Sequence, residues 1–354
     1  MNAWVSRFLA DFSLSELEQQ LSAWGHKPMH AARLLRAFYV RGELIENISG
    51  VPEELQMRVR DLARFFSEIA VRKVAADGTT KLLLRLGDGR TIESVLMPDF
   101  RADRAAGCLS SQVGCAMGCD FCATTKTGFE RNLTAGEMVE QFLALRREAA
   151  TSGRRLQTIV FMGMGEPLLN FDAVVQAIER IADNRIGGLG WRQVTVSTVG
   201  IVPGIDALTK RGLSINLAVS LHAPDDETRA RLLPMGRRFA IEEILAAADR
   251  FQAQRGRPVT IQYCLLKGVN DSPDHARTLA AVVGPRRMHV NLLRYNPTGI
   301  SLRGVAYEAT DDATAEAFSS VLRSAKIVAH FRRSRGPDID AACGQLRRRS
   351  EAVS

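Results

Sequence analysis

The chain has 354 residues, 46% of them hydrophobic and 24% charged, a typical globular composition that argues against disorder as the main state. Its net charge of +8 is compatible with a nucleic-acid partner and equally with a solvated cationic surface. The N-terminal segment lacks the features of a signal peptide, and no apolar run is long enough to span a membrane. We therefore expect a cytoplasmic protein that does not associate with membranes and whose thiols stay reduced.

Residues 1–70 are predicted to form a small helical accessory domain, because apolar residues recur there at three- and four-residue spacing. The segments that carry this spacing are LSELEQQLSAWG, HAARLLRAFYVRG and PEELQMRVRDLARFF. Residues 71–103 contain KLLLRL and TIESVLM on either side of GDGR. This pattern predicts a β-hairpin with Glu93 in its second strand.

From residue 104 onward, β-branched apolar runs alternate with helical patterns, as they do in parallel βα units. The predicted strands are AGCLSS, TIVFMG, QVTVST, INLAVSLH, VTIQYCLL, HVNLLRY and KIVAHFRRS. The predicted helices include TAGEMVEQFLALRREAA, FDAVVQAIERIAD, AIEEILAAADRFQAQ, SPDHARTLAAVV and DATAEAFSSVLRSA. We predict an α/β fold with a partial (β/α)6 barrel over residues 104–346, followed by a basic tail at 347–354. In such folds ligands bind at the carboxyl ends of the strands.

A cluster of cysteines follows the first predicted barrel strand. Cys115, Cys119 and Cys122 form C-x3-C-x2-C. Three thiolates on one loop can hold three irons of a [4Fe–4S] cluster and leave the fourth iron open to a small molecule. Structural zinc is the alternative, but it prefers four protein ligands in two separated pairs, and no second C-x2-C is present. The spacing favours the iron–sulfur cluster.

Polar residues at the ends of other predicted strands are candidates for ligand contact. In FMGMGEPLLN, Gly165 lets the backbone approach a ligand and Glu166 offers a carboxylate to an ammonium group. An ordinary βα turn is the alternative for this stretch. The other strand-end candidates are Ser197, Ser220, Leu221, His222 and Asn296. A lone serine or histidine is more often a satisfied structural group, but their shared position favours ligand contact.

The cysteine spacing, its place after the first barrel strand and the adjacent Phe121 resemble the signature of the radical S-adenosylmethionine superfamily. The resemblance implies a [4Fe–4S] cluster held by the three cysteines, and S-adenosylmethionine bound at its open iron. Reductive cleavage of that molecule gives a 5′-deoxyadenosyl radical. The position of Glu166 then matches the residue that holds the amino group of S-adenosylmethionine. The strand-end residues from Ser197 to Asn296 become candidates for its remaining contacts.

Longer stretches resemble the RlmN/Cfr family of radical S-adenosylmethionine enzymes that methylate adenosine in RNA. They are CLSSQVGCAMGCDFCATTKTGFERNLT, FMGMGEPLLN, VTVSTVG, SLHAPDDETR, KGVNDSPDHA and DIDAACGQL. The resemblance implies that Cys343 accepts a methyl group, which loses hydrogen to the radical and adds to an adenine ring carbon. Cys108 then forms a transient disulfide with Cys343 and releases the product. The ring proton goes to Cys108, the first choice, or to Glu93. Cys264 is expected to be a buried core thiol.

The substrates that this resemblance implies are 23S rRNA and some tRNAs, with an electron donor such as flavodoxin or ferredoxin. Pro167 in MGEPLLN resembles the branch that methylates C2, whereas Arg294 and Tyr295 in LLRYNP are closer to the branch that methylates C8. We expect C2. RNA contacts are expected from the N-terminal helices or from the arginines Arg332, Arg333, Arg335 and Arg347 to Arg349. These arginines are equally compatible with a solvated basic tail.

Two other functions are compatible with parts of the sequence. The first is a radical enzyme that acts on a peptide or small molecule, against which the Cys108–Cys343 pair argues. The second is a non-enzymatic RNA-binding protein with a structural metal, which leaves the glycine–glutamate turn and Cys343 unexplained. No coiled-coil pattern or exposed apolar stripe is evident, so we expect a monomer.

Overall fold

The computed structural model describes residues 8–41, 47–63 and 67–346. In the N-terminal region it contains the three predicted helices α1 (Leu14–Ala23), α2 (His30–Arg41) and α3 (Glu53–Arg60). The N-cap residue of α1 is Ser13, whose hydroxyl accepts the backbone N–H of Glu16 at 3.3 Å. The Glu16 carboxylate accepts the Ser13 N–H at 2.8 Å, which completes a capping box.

The antiparallel part of a ten-stranded sheet follows. It consists of β1 (Glu68–Val74), β2 (Thr80–Arg85), β3 (Thr91–Pro98) and β4 (Arg104–Leu109). The predicted hairpin is β2–β3, with Glu93 opposite Leu83. Strand β1 was not predicted, because it is a largely exposed edge strand with weak alternation. Strand β3 pairs directly with β4, so the hairpin and the barrel strands share one sheet. The domain division at residues 70 and 103 stays a prediction.

A short two-stranded ribbon, β5 (Gln112–Gly114) and β6 (Phe129–Asn132), flanks the cysteine loop. Beyond it, parallel strands continue the large sheet from β4 in chain order. They are β7 (Arg155–Phe161), β8 (Val194–Thr198), β9 (Asn216–Ser220), β10 (Val259–Leu265), β11 (Met288–Arg294) and β12 (Ala329–Arg332). The seven predicted barrel strands are therefore present as parallel neighbours of one another.

Helices lie in every crossover between consecutive parallel strands. They are α4 (Ala135–Thr151), α5 (Phe171–Ala182), α6 (Val202–Arg211), α7 (Asp226–Leu232), α8 (Ile241–Arg255), α9 (Pro273–Val283) and α10 (Asp312–Ser324). Two of them, α6 and α7, were not among the predicted helices. Helix α6 has a proline in its first turn, which is tolerated there because that N–H needs no helical partner. Helix α7 has only 7 residues, mostly charged, so its apolar periodicity is weak.

The sheet is curved enough for side chains of distant strands to meet. Arg332 of β12 places its guanidinium 3.9 Å from the sulfur of Met97 in β3 and 3.7 Å from the sulfur of Met162, which follows β7. The predicted α/β fold with a partial barrel is confirmed. Within the described residues, no helix combines the length and the hydropathy needed to cross a membrane.

Candidate active site

A cavity of about 160 Å³ lies at the carboxyl ends of the parallel strands, where ligands bind in folds of this kind. It brings together most of the residues that the sequence singled out. Those that line it are Cys115, Cys119, Cys122, Gly165, Glu166, Ser197, Ser220, His222 and Cys343. The cysteine loop forms one wall, and the turns after β7, β8 and β9 form another.

The cysteine loop is held in place mainly through its backbone. Cys115 donates its N–H to the Gly128 carbonyl at 3.0 Å. The Thr125 hydroxyl donates to the carbonyls of Cys119 and Cys122, at 3.0 and 2.9 Å. Because these bonds do not use the sulfur atoms, all three thiols are free to serve as ligands.

The chemistry of these thiols fits an iron–sulfur cluster. Burial raises the pKa of Cys115 to about 12, and burial also raises the pKa values of Cys119 and Cys122. Thiolates are therefore disfavoured here until a metal centre replaces the protons. In the described part of the chain, no three His, Cys, Asp or Glu side chains are close enough together to hold a single metal ion. A [4Fe–4S] cluster instead takes one thiolate per iron.

A buried arginine beside the loop also fits an anionic group. Arg229 of α7 is 1% exposed, and its Nη2 donates to the Val199 carbonyl. Its Nε and Nη1 have no hydrogen-bond partner among the described residues. This guanidinium interacts electrostatically with Cys119. A cluster with three thiolates would compensate the buried charge, and the sequence analysis missed this residue although SLHAPDDETR contains it.

Glu166 follows a turn in which position 165 must be glycine. Gly165 has φ +100°, and a Cβ there would lie 2.6 Å from the Cβ of Gln112. Glu166 is 2% exposed and accepts the N–H groups of Val199 and Leu168 at 2.8 and 3.0 Å. Burial raises the pKa of this carboxyl to about 7, and the hydrogen bonds that it accepts oppose the rise. A desolvated carboxylate facing the cavity can bind an ammonium group.

Replacing Glu166 by glutamine is expected to weaken binding of S-adenosylmethionine about tenfold or more, because a neutral amide cannot pair with its ammonium group. Equilibrium dialysis with reconstituted protein measures this change. The affinity of the unmodified protein should also fall as the pH drops below about 7, where the carboxyl becomes protonated. The glutamine variant should lack that pH dependence. Equal affinities of the unmodified protein and the glutamine variant at pH 8 would show that Glu166 does not bind the ammonium group.

The strand ends beside Glu166 carry a serine pair and a neutral histidine. The hydroxyls of Ser197 and Ser220 lie 3.2 Å apart. His222 has φ +57°, and its Nδ1 accepts the Cys264 N–H at 3.0 Å. Burial, reinforced by a nearby arginine, lowers the pKa of His222 to about 3. The ring is therefore neutral, and it packs edge-on against Phe121 at 5.2 Å.

A second, smaller cavity of about 30 Å³ adjoins the first and contains Cys108, Asn296 and Cys343. Cys343 is exposed and lines both cavities. Asn296 donates from Nδ2 to the Cys343 carbonyl at 3.4 Å, so it holds the loop that carries Cys343 and does not line the larger cavity. Burial raises the pKa of Cys108 to about 12, nearby Cys343 adds to the rise, and Arg332 opposes it. Cys108 and Cys343 are both free thiols, so the predicted disulfide between them is not present in the structure.

Two other predicted site residues lie away from the larger cavity. Leu221 is fully buried in the core, and its N–H donates to the Gln262 carbonyl at 3.1 Å. Glu93 lines a third cavity and forms an ion pair of 2.9 Å with Lys81. It shares a face of β3 with Val95, which lines the second cavity, so the two sites are neighbours along one strand.

Sequence reasoning missed several residues that line the larger cavity. Cys264 is buried, as predicted, but it also lines this cavity together with Gln262 from the same strand. The position of both near the end of β10 was the available signal, since ligands gather at that edge of the sheet. Arg332 lines both cavities and was expected only as a surface contact.

Comparison with known proteins gives consistent results. Residues 109–279 match the radical SAM superfamily. The chain is 71% identical over 348 residues to a probable dual-specificity RNA methyltransferase RlmN 1 of Opitutus terrae, covering 98% of each chain. It is 42% identical to a probable dual-specificity RNA methyltransferase RlmN of Rhodopirellula baltica, covering 96% of this chain and 90% of the relative. A crystal structure of a radical SAM methyltransferase from Sphaerobacter thermophilus matches with a TM-score of 0.89 and 40% identity, over 96% of this chain and 99% of that one.

Proposed function

Because the chain belongs to the RlmN family of radical S-adenosylmethionine RNA methyltransferases, we propose that it methylates C2 of an adenosine in 23S rRNA. We include in this proposal the adenosine 3′ of the anticodon in some tRNAs. The family resemblance found in the sequence motifs is confirmed, and it brings a [4Fe–4S] cluster and S-adenosylmethionine as cofactors. The carbon position and the RNA targets are our proposal.

The lining of the larger cavity supports the proposed cofactor sites. Cys115, Cys119 and Cys122 would hold the cluster, which when bound supplies the electron for cleavage of S-adenosylmethionine. Gly165 and Glu166 would bind the amino group of that molecule. The remaining contacts would come from the serine pair and His222. Leu221 would act indirectly from the core next to His222, and Asn296 by its hydrogen bond to the loop that carries Cys343.

The observation that carries the proposal is the position of Cys343 between the two cavities. From the larger cavity its thiolate can take the methyl group of one S-adenosylmethionine, and S-adenosylhomocysteine leaves. The 5′-deoxyadenosyl radical then takes a hydrogen atom from the S-methyl group, and the resulting carbon radical adds to the adenine ring. The adduct loses the ring proton to a base and one electron, for which the oxidised cluster would be the acceptor. Cys108 then attacks the sulfur of Cys343, the carbon–sulfur bond breaks, and the carbon takes a proton. The disulfide formed must be reduced before the next turnover.

We propose Cys108 as the group that takes the ring proton. It lines the same cavity as Cys343, whereas Glu93 is engaged with Lys81 in the neighbouring cavity. Burial raises the pKa of Cys108 to about 12, and the guanidinium of Arg332 opposes this rise, which is the direction that the thiolate in this role requires. Glu93 is the second candidate, because it is only 4% exposed and lies on the same face of β3 as Val95, which lines the cavity of Cys108.

We base the C2 position on Pro167 in MGEPLLN, which lines the larger cavity. Arg294 and Tyr295, the residues closer to the C8 branch, line it as well, and Tyr295 is also held by its neighbours. Its hydroxyl lies 2.9 Å from the Thr298 hydroxyl, and its ring packs edge-on against Tyr307. These contacts give Tyr295 a structural role that does not depend on the carbon being methylated. We also propose that the protein acts as a monomer in the cytoplasm, with a flavodoxin or ferredoxin as its electron donor.

Mass spectrometry tests the function directly. Reconstituted enzyme is incubated with 23S rRNA fragments, a reductant and S-adenosylmethionine that carries a labelled methyl group. We expect labelled 2-methyladenosine. Labelled 8-methyladenosine would overturn the carbon assignment, and unlabelled RNA with 5′-deoxyadenosine still formed would overturn the RNA substrate.

Replacing Cys108 by alanine is expected to leave RNA covalently attached to the protein through Cys343, because no thiolate remains to break the carbon–sulfur bond. A denaturing gel of the reaction should show a slowly migrating band that ribonuclease removes. A serine at position 108 should behave in the same way, since it cannot form a disulfide. Free methylated RNA at the wild-type rate from both variants would rule out this role.

A further inference from the structure

A patch of arginines and exposed apolar side chains lies on the loop between β11 and α10 and on α7. We call it the arginine–apolar patch and define it by Arg231, Ile300, Leu302, Arg303 and Val305. The exposed fractions of Ile300, Leu302 and Val305 are 70, 57 and 41%. Arg303 joins the two segments by donating from Nη1 to the Arg231 carbonyl at 2.9 Å. Single exposed apolar residues are ordinary, but several together beside arginines indicate an interaction surface.

The patch rests directly on the cysteine loop. Asp120, the residue after Cys119, is 1% exposed. Its carboxylate accepts the Arg303 N–H at 3.2 Å and the Tyr307 hydroxyl at 2.7 Å. Its own N–H donates to the Leu232 carbonyl at 2.9 Å, next to Arg231. The patch is therefore one buried residue away from a thiol that would hold the cluster.

The patch is also separate from the cavities that contain Cys343. None of its five residues lines the larger cavity or the adjoining one. RNA must reach Cys343 through those cavities, so a protein bound to the patch leaves that approach open. Hydrogen bonds of Asp120 connect the patch to the cysteine loop.

Carboxylates lie near both arginines: Glu227 is one helical turn before Arg231 on α7, and Asp120 accepts the Arg303 N–H. No ion pair to Arg231 or Arg303 is found in residues 8–41, 47–63 and 67–346. The nearby Glu308 pairs with Lys267, and Asp226 accepts the Ile241 N–H. Arg237 and Arg238, which follow α7, are exposed as well and extend the positive charge. A negatively charged partner is the complementary one.

We propose that the patch docks a small acidic one-electron carrier protein, a flavodoxin or a ferredoxin, which reduces the cluster. In this step the reduced carrier loses one electron and the cluster gains one. The inference rests on the proposed function, since only a cluster enzyme needs such a donor. The apolar centre supplies contact area, and the arginines steer and orient the acidic carrier.

The test compares Arg303→Glu with unmodified protein, both carrying a reconstituted cluster, using a bacterial flavodoxin as the probe. Isothermal titration at low salt measures the dissociation constant. Formation of 5′-deoxyadenosine is measured with flavodoxin, its reductase and NADPH, and separately with dithionite. We expect binding and flavodoxin-driven turnover to fall about tenfold or more, since a charge is reversed at the contact. Dithionite-driven turnover should stay within about twofold, because a small reductant needs no docking surface.

Two further variants complete the design. Arg277→Glu, on α9 and with a side chain 61% exposed, makes the same charge change elsewhere and should leave flavodoxin binding unaltered. Leu302→Ser keeps every charge and should also weaken flavodoxin binding; it decides the question if Arg303→Glu loses iron.

Unchanged flavodoxin affinity in Leu302→Ser and in an iron-loaded Arg303→Glu overturns the proposal. Weaker RNA binding with unchanged flavodoxin binding would assign the patch to RNA instead. Failure of dithionite-driven RNA methylation in unmodified protein would overturn the proposed function alone.

Discussion

Replacing Cys343 by alanine is expected to lower RNA methylation by about 10³-fold or more, because the variant lacks the sulfur that we propose as the methyl carrier. The substitution should leave the loop intact. The Asn296 amide and the Ala123 N–H both bond to backbone carbonyls of this loop, at 3.4 and 2.7 Å, and not to the Cys343 sulfur. The thiol is also exposed, so its removal opens no cavity in the core. Labelled methyl groups on adenosine, counted by mass spectrometry, measure the loss.

The matched control for this variant is Cys264→Ala. Cys264 lines the same cavity but is buried, and burial raises the pKa of its thiol. Its alanine variant should therefore retain most of the methylation. Peptide mass spectrometry adds a second measurement, since a labelled methyl group should appear on Cys343 of the unmodified protein. Normal RNA methylation by Cys343→Ala would show that the methyl group reaches RNA without passing through this cysteine.

The barrel strands were predictable because their sequences carry an unambiguous local pattern. A strand such as VTIQYCLL is buried on both faces, and its β-branched run identifies it. The edge strand β1 and the short helix α7 were missed, because their own sequences carry weak apolar periodicity and their structure depends on packing against neighbouring elements. Local sequence specifies an element well only where burial dictates most of its residues.

The candidate site shows the same limit. Motif spacing identified the three cysteines of the loop and the Gly165–Glu166 turn, since the residues within each of these two motifs are close together in sequence. It could not show that Arg229 has buried N–H groups without partners, or that Arg332 reaches between the two cavities. Those features arise from the curvature of the sheet, which brings together residues far apart in the chain. It also could not separate Asn296, which holds the Cys343 loop, from residues that line the larger cavity.

Replacing Cys119 by alanine is expected to abolish every activity of the protein, because the proposed cluster site loses one of its three thiolates. Reconstituted variant should be nearly colourless and hold little iron, and 5′-deoxyadenosine formation should fall by about 10³-fold or more. The fold should tolerate the change. The loop is fixed by backbone carbonyls, and in the absence of a metal centre burial keeps this thiol neutral. Loss of the buried sulfur should cost on the order of 1 kcal/mol of stability.

Iron content separates this result from that of Cys343→Ala. Both variants should fail to methylate RNA, but Cys343→Ala should keep its full iron and its colour, since the Cys343 thiol is not part of the C-x3-C-x2-C loop. Cys264→Ala again serves as the control, because it removes a buried thiol from the same cavity outside that loop. Retention of iron and cleavage activity by Cys119→Ala would mean that another side chain holds the cluster. Zinc in the unmodified protein, with no iron after reconstitution, would return the loop to a structural role and remove the basis for radical chemistry.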